Sequence, residues 1–558
     1  MNKQFFALIE GIVTRFYNFI GSPKKVLAAA AGVGVVALAA ALLFPNIYRD
    51  SVNYMASVNA LWLQNWRTAF NLTYVPLLFV IGALFRPLGL DACQCLTLVS
   101  SLLALGMLFL GYRVLSYYMD KRWAAWGSVL FFLTPTVFAI SFCPLTDSSR
   151  WFSILLCWWT ILLYLERPKA YKLFGIGAAY AFFALVRSEG IVFAGLFTLW
   201  FFFEQWRTQR RSAEGVRWGR IVVSTVAPVI FMLVLISPRL IQIYRETGFP
   251  ALDTRQTWAI KGVLTQLAGK EVTAPEVGQD PLVTYNFHDL KFHYSYLQNE
   301  RFVNRYWKNF LTGNYRFFLA FTLLGLVYIV WRRKWQHIHT LSCVFVAANA
   351  IAYGLMRSGA GRYFFINTFL MMPFTLAGFH CIWAFCRDFR SWTALAAKFL
   401  FPCAAIAVVV TFIVLGMHNV LPSGGDCYAE IGRFMRSESA AAKPRSGTAH
   451  PVYLILGDNY GWGFFCNGNE LVYSVQFKMD SRYRVSEILT AGVPPDYCSF
   501  AVDPLRNVRE LKPDYLLVNG NDFPPNALDG CSGLLESIPQ TISDKVRLYR
   551  VTSGLEAK

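Results

Sequence analysis

Residues 24–54 read KKVLAAAAGVGVVALAAALLFPNIYRDSVNY. A basic pair comes first, an uncharged stretch from Val26 to Phe44 follows, and the first carboxylate after that stretch is Asp50. A helix needs about 20 apolar residues to cross a bilayer, with a range of about 17–25, and Lys and Arg accumulate on its cytoplasmic side. This stretch therefore predicts a membrane-spanning helix with a cytoplasmic N-terminus, and it places Asp50 just beyond the opposite surface.

The composition of the whole chain agrees with a membrane protein. Its 558 residues are 55% hydrophobic and only 15% charged, whereas soluble proteins average about 25% charged residues. So few charges cannot cover a soluble surface. The formal net charge of +19 does not indicate a nucleic-acid partner, because most basic residues lie in short clusters between apolar runs, as the positive-inside rule requires.

Further apolar runs predict an all-α polytopic domain of about eleven membrane-spanning helices over residues 1–418. The short clusters assigned to the cytoplasm are all net basic, and the last span ends on the outer side. We expect a multi-pass protein of a bacterial inner membrane. Two outer segments, 45–91 and 239–316, interrupt the series. We interpret the first as one or two amphipathic helices at the membrane interface.

Residues 419–558 differ in character and predict a small soluble α/β domain on the periplasmic side. Turn clusters alternate there with short apolar runs, which we expect to be strands: Val452–Leu456, Leu471–Val475, Tyr515–Val518 and Val546–Val551. Four cysteines of this part form no CxxC pair and permit two disulfides with three possible connectivities: Cys427, Cys466, Cys498 and Cys531.

Two carboxylates stand at the predicted outer rim, Asp50 and Asp147. Each precedes a helical stretch, so each could simply cap a helix N-terminus. The functional alternative for Asp50 is a general base that takes a proton from an acceptor hydroxyl. Together the two carboxylates could form an acceptor or divalent-metal site. The residues provide no clear metal-ligand set, and the spacing of His288 and His293 does not fit a zinc helix.

Three arginines at outer span ends run against the positive-inside bias: Arg187, Arg357 and Arg362. Each could extend to lipid headgroups, as long basic side chains often do. Alternatively, they could clamp a lipid phosphate, for which the bidentate guanidinium is well suited. Glu189 follows Arg187 closely and could hold it in place.

The order of these features resembles that of the GT-C glycosyltransferases over residues 25–385. The resemblance rests on Asp50 with Tyr54, on Tyr74-Val-Pro76-Leu77, and on Leu133-Thr-Pro135 followed by Leu145-Thr-Asp147. It extends to three later motifs: Leu185-Val-Arg187-Ser-Glu189-Gly190, Thr247-Gly248-Phe249-Pro250 and Gly361-Arg362-Tyr363. The relatives are the protein O-mannosyltransferases and the lipid A aminoarabinose transferases.

The resemblance implies a GT-C-like membrane domain that transfers a sugar from a polyprenyl phosphate to an extracytoplasmic lipid, glycan or protein hydroxyl with inversion. It makes Asp50 the base, with Tyr54 and Tyr363 as supporting residues. Many relatives have Asp-Glu where this chain has Asp50-Ser51. Two alternatives remain open: a lipid or polysaccharide transporter or flippase, and a non-catalytic assembly protein that keeps the fold. The sugar, the acceptor and the source organism are not encoded in any recognisable pattern.

Overall fold

The computed structural model describes most of the helical part of the chain and the strands of the C-terminal part. It covers residues 21–44, 49–64, 66–70, 74–210, 216–253, 307–309, 316–355, 361–388, 407–420, 451–456, 471–479, 485–491, 512–519, 533–539 and 546–552. Single residues or pairs are also described at 256, 431, 434–435, 437–438, 508, 528 and 541.

The first half of the chain is helical throughout its described residues. In chain order the helices are α1 (Pro23–Leu43), α2 (Arg49–Trp62), α3 (Trp66–Ala69), α4 (Leu77–Ala83), α5 (Ala92–Tyr118), α6 (Lys121–Leu133), α7 (Pro135–Ser141), α8 (Asp147–Glu166), α9 (Ala170–Val186), α10 (Gly190–Arg210) and α11 (Trp218–Thr247). A 3₁₀ turn at Arg86–Leu88 precedes α5. Asp91 begins α5 in a capping box with Gln94, which satisfies two backbone N–H groups at the helix start.

The second half contributes α12 (Arg316–Trp331), α13 (His337–Leu355), a 3₁₀ turn at Gly361–Phe364, α14 (Ile366–Leu370), α15 (Met372–Asp388) and α16 (Ala407–Val420). Two of the expected spans are broken. α6 and α7 meet at an angle of 67°, because Pro135 forces Thr134 out of the helical conformation. The segment of α14 and α15 bends by 50°.

The apolar helices make the chain an integral membrane protein. Among the described residues, four helices are long and apolar enough to cross a bilayer alone, and up to six spans result if each bent pair counts as one. Five shorter apolar helices accompany them in the described part of the chain. The expected count of about eleven spans therefore stays a prediction, since it depends on how the short and broken helices cross the membrane.

The segments 45–91 and 239–316, which we expect on the outer side, pack into the helical domain where they are described. Met55, Val58 and Asn59 of α2 are buried, and the helix packs against α4 and α5. The second segment begins inside α11, which continues to Thr247, where Gly248 adopts a left-handed conformation with φ of 68°. Arg239 is therefore a buried residue of this helix. The position of α2 at the membrane interface stays a prediction.

α12 and α15 pack closely through small residues, which are enriched where membrane helices cross. A Cβ atom on Gly325 would collide with the carbonyl oxygen of Phe374, and one on Gly378 would collide with that of Phe321. A buried hydrogen bond of 2.8 Å between the hydroxyls of Thr322 and Thr375 joins the same two helices. The backbones therefore touch over this crossing.

The C-terminal part contains a six-stranded mixed sheet of order β3-β2-β1-β4-β6-β5. The strands are β1 (Val452–Leu456), β2 (Leu471–Met479), β3 (Val485–Ala491), β4 (Tyr515–Asn519), β5 (Leu535–Ile538) and β6 (Val546–Val551). β1 pairs in parallel with β2 and β4, and the outer pairs are antiparallel. The four predicted strands are confirmed, and the backbone of α2 approaches β2 and β3.

Candidate functional site

Asp147 is the first residue of α8 and is almost completely buried, with 1% of its surface exposed. Thr146, rather than Asp147, occupies the N-cap position. Asp147 Oδ1 has no hydrogen-bond partner within the described part of the chain, and Oδ2 lies 3.9 Å from Nε of Arg362. A buried carboxylate oxygen without a partner is energetically costly, so this atom is suited to accept a hydrogen bond from a ligand.

Arg187 and Glu189 lie in the turn between α9 and α10. Arg187 Nε donates to Glu189 Oε1 at 2.8 Å, and its Nη2 lies at the same distance from that oxygen. Its Nη1 donates to the Thr146 hydroxyl at 2.8 Å, which attaches the turn to the start of α8. The side chain of Arg187 is therefore fixed at the residue that precedes Asp147.

The charge state of Glu189 follows from its two arginine neighbours. Burial by itself raises the pKa of this carboxyl, but the charges of Arg187 and Arg150, together with the hydrogen bond from Arg187, outweigh burial and lower the pKa from 4.5 to about 2. Glu189 is thus ionised at neutral pH, and its negative charge offsets part of the positive charge around it.

Tyr363 contacts two of the three arginines that the sequence singled out. The Cζ atom of Arg187 is 5.7 Å from the centre of the Tyr363 ring, and that of Arg362 is 5.4 Å from it. A guanidinium stacks favourably on an aromatic face, so one ring holds two like charges close together. The structure thereby brings together Asp147, Arg187, Glu189, Arg362 and Tyr363, from three separate stretches of sequence.

Arg150 belongs to the same cluster, and our sequence analysis did not select it. Its side chain is fully buried, its Nη1 donates to the Tyr363 carbonyl at 2.9 Å, and its Nη2 donates to Asn349 Oδ1 at 2.7 Å. Its spacing from Asp147 was the available signal, because residues three apart share one face of a helix. The sequence does not show that Tyr363 and Asn349 lie next to this face of the helix, so the spacing alone did not identify Arg150.

Asp50, the expected base, lies in α2, but its side chain is outside the described part of the chain. Arg357 and the four cysteines of the C-terminal part are also outside it. Tyr54, one turn further along α2, is buried against aromatic rings. Its ring centre is 5.3 Å from that of Tyr74 and 5.5 Å from that of Phe79. Tyr54 therefore packs into the protein at the end of α2 that carries Asp50.

Arg239 joins two outer segments to α11. Its Nη2 donates to the Tyr74 carbonyl at 2.8 Å and its Nε to the Leu252 carbonyl at 2.9 Å. Beyond Leu252, Gln256 Nε2 approaches the Ser188 carbonyl at 3.3 Å, in the turn that carries Arg187. A chain of contacts therefore runs from the aromatic packing around Tyr54 to the arginine cluster.

The described residues include no group of three or more His, Cys, Asp or Glu side chains that could hold a metal ion. The polar atoms that converge at the rim belong mainly to guanidinium groups, which repel cations. We therefore derive no chemical step through a metal at this site.

The fold is that of known membrane glycosyltransferases. The structure is similar to the ArnT of Cupriavidus metallidurans in the apo state, with a TM-score of 0.53 and 12% sequence identity, over 98% of this chain and 99% of that one. It is also similar to the oligosaccharyltransferase of Archaeoglobus fulgidus in a complex with Zn and sulfate. That comparison gives a TM-score of 0.53 at 12% identity, over 88% of this chain and 68% of that one.

The apo form of the same archaeal protein matches with a TM-score of 0.50 and 12% identity, and this chain spans 64% of its length. No protein-family model matches the sequence, and no curated protein matches it significantly. At such low identity the likenesses establish the fold alone. The chain has the GT-C fold, as the sequence motifs led us to expect.

Proposed function

We propose that the protein is a membrane glycosyltransferase that moves a sugar from a polyprenyl phosphate to an extracytoplasmic hydroxyl with inversion. The observation that carries the proposal is the stacking of Arg187 and Arg362 on the Tyr363 ring beside the buried carboxylate of Asp147. The GT-C fold supports the same class of reaction.

The charge balance of the cluster favours an anionic ligand. Three guanidinium groups, those of Arg150, Arg187 and Arg362, face two carboxylates, those of Asp147 and Glu189. Counted over these five described side chains, the positive charges exceed the negative charges by one, in a largely buried place where unbalanced charge is costly. A phosphate monoanion or diester would complete it, and guanidinium groups bind phosphate oxygens in pairs.

In the reaction the acceptor oxygen attacks the anomeric carbon, and the bond between that carbon and the phosphate oxygen breaks. Asp50 takes the proton of the acceptor hydroxyl, and the phosphate leaves with the bonding electron pair. Arg187 and Arg362 stabilise the negative charge that develops on the departing phosphate. The Oδ1 atom of Asp147 accepts a hydrogen bond from the acceptor and orients it.

The test compares cells that carry the parent protein, no protein, or the Asp50→Asn variant. Asn keeps the size of Asp but is not basic, and general-base catalysis contributes about 10²–10⁴-fold. We expect mass spectrometry of lipids and glycans to show one product of fixed sugar mass that is lost without the protein. The Asp50→Asn variant should form that product more slowly by about 10²–10⁴-fold, the typical contribution of a general base.

Asp91→Asn is the matched control. Asp91 lies in the same outer segment and caps α5, a role that Asn also performs, so this variant should retain activity. Normal turnover by a correctly inserted Asp50→Asn variant would remove Asp50 as the base. If no glycan differs between cells with and without the protein, the non-catalytic alternative is correct.

A further inference from the structure

We infer that Arg150 is a positioning residue for the donor-phosphate site: from inside the protein it holds the Gly361–Phe364 turn so that the Tyr363 ring stays in contact with both Arg187 and Arg362. The inference deepens the proposed function and rests on it for the identity of the ligand. Its geometric part depends only on the contacts of Arg150.

Arg150 is placed to act on the turn and not on a ligand. Its side chain has no exposed surface, so it cannot touch a lipid headgroup. Glu189 balances its charge at 3.9 Å from Nε, and its Cζ lies 5.7 Å from the centre of the Phe193 ring. One terminal nitrogen donates to the Tyr363 carbonyl, and the other donates to Asn349 of α13, whose amide also donates to that carbonyl.

The Tyr363 carbonyl is held from two helices at once. Arg150 Nη1 donates to it at 2.9 Å from α8, and Asn349 Nδ2 donates to it at 3.2 Å from α13. The same amide donates to Asn367 Oδ1 at 3.0 Å, just beyond the turn. A carbonyl that accepts a charge-assisted bond and a second bond is fixed more firmly than a carbonyl with one neutral donor.

The first turn of α8 therefore contacts two successive residues of the Gly361–Phe364 turn, Arg362 and Tyr363. Asp147 approaches the guanidinium of Arg362, and Arg150 binds the main chain of Tyr363. Asp147 and Arg150 are three residues apart and so lie on one face of the helix. Loss of Arg150 would free the main chain of the turn and would let both Arg362 and the Tyr363 ring move.

Two variants separate positioning from charge. Arg150→Lys keeps the positive charge near the phosphate but cannot donate from two nitrogens in a fixed fork. Arg150→Met removes the charge as well. If Arg150 positions the turn, both variants should bind donor phosphate about tenfold more weakly. If Arg150 supplied only charge, Lys would restore the affinity of the parent.

The probe is undecaprenyl phosphate, titrated into the full-length protein in nanodiscs. Arg86→Lys is the matched control, because Arg86 is also buried and donates to a backbone carbonyl, that of Leu90, in another outer segment. We expect Arg86→Lys to bind the probe like the parent. Equal losses for Arg86→Lys and Arg150→Lys would overturn the inference, since any buried arginine would then have the same effect.

A double variant tests the route through Arg362. If Arg150 acts through that residue, Arg150→Lys should weaken binding much less in a protein that already carries Arg362→Lys. Fully additive losses would overturn the inference. If the parent does not bind undecaprenyl phosphate, the proposed donor is wrong.

The structure of the Arg150→Met protein decides the positioning role independently of any ligand. We expect the Tyr363 ring to lose its contact with at least one of the two guanidinium groups. Retention of the parent arrangement would overturn the inference.

Discussion

The Nε atom of Arg362 lies 3.9 Å from Oδ2 of Asp147, which is too long for a hydrogen bond. Arg187, which also lies against the Tyr363 ring, is held by Glu189 at 2.8 Å. The carboxylate of Glu189 therefore contacts its arginine directly, whereas the carboxylate of Asp147 only approaches the guanidinium of Arg362.

The position of Arg362, against the Tyr363 ring and near Asp147, predicts the effect of changing it. Arg362→Lys should weaken the apparent affinity for a polyprenyl-phosphate donor about tenfold, because an ammonium group cannot form the bidentate contact. Arg362→Ala should weaken it further. Steady-state titrations of donor and acceptor check this, and acceptor affinity should change little. If both variants titrate with donor like the parent, the phosphate site lies elsewhere and Arg187 becomes the next candidate.

Glu189 predicts a pH dependence of stability. Its pKa in the folded protein is lowered from 4.5 to about 2, so the carboxylate stabilises the fold fully above about pH 4.5 and progressively less as the pH falls toward 2. Glu189→Gln should lower the free energy of unfolding by about 3 kcal/mol at neutral pH. Thermal unfolding of both proteins from about pH 7 to about pH 3 measures the difference in stability between the parent and the variant, which should become smaller in acid. A difference in stability that is constant with pH would contradict the lowered pKa of Glu189.

Residues 419–558 should lie outside the cytoplasm, because the basic clusters alternate along the predicted spans and the last span leads outward. A reporter that is active only in the periplasm, fused after Lys558, should give signal. The same reporter fused after Arg210, in the basic segment between α10 and α11, should remain inactive. The reverse pattern would invert the topology and would place the arginine cluster in the cytoplasm.

The crossing of α12 and α15 predicts a strong effect of one glycine. Gly378→Leu should destabilise the protein by more than the 1–3 kcal/mol typical of overpacking, because the new Cβ would meet backbone, not a movable side chain. Gly195→Leu in α10 is the control, since no atom lies within 4 Å of its Cβ position. Melting temperatures in detergent would show the difference, and similar values for the two variants would disprove the close contact.

Local pattern was enough for the first apolar helix and for four of the six described strands. The run from Val26 to Phe44 became α1, and the strands β1 and β6 begin and end where the apolar runs do. β3 and β5 were missed, because VSEILTA and LESI carry too few apolar residues to stand out. A broken span such as α6 with α7 reads as one apolar run, since hydropathy is insensitive to a change of direction.

The sequence by itself determined that the chain is a membrane protein, which segments are apolar, and which charged residues are out of place at the outer rim. Those properties are local, because burial in lipid and the preference for cytoplasmic basic residues act on short stretches. The tertiary structure alone decided that Asp147, Arg187 and Arg362 meet around one ring, and that Arg150 supports them from inside. Such contacts join distant parts of the chain, and no spacing within a single helix can specify them.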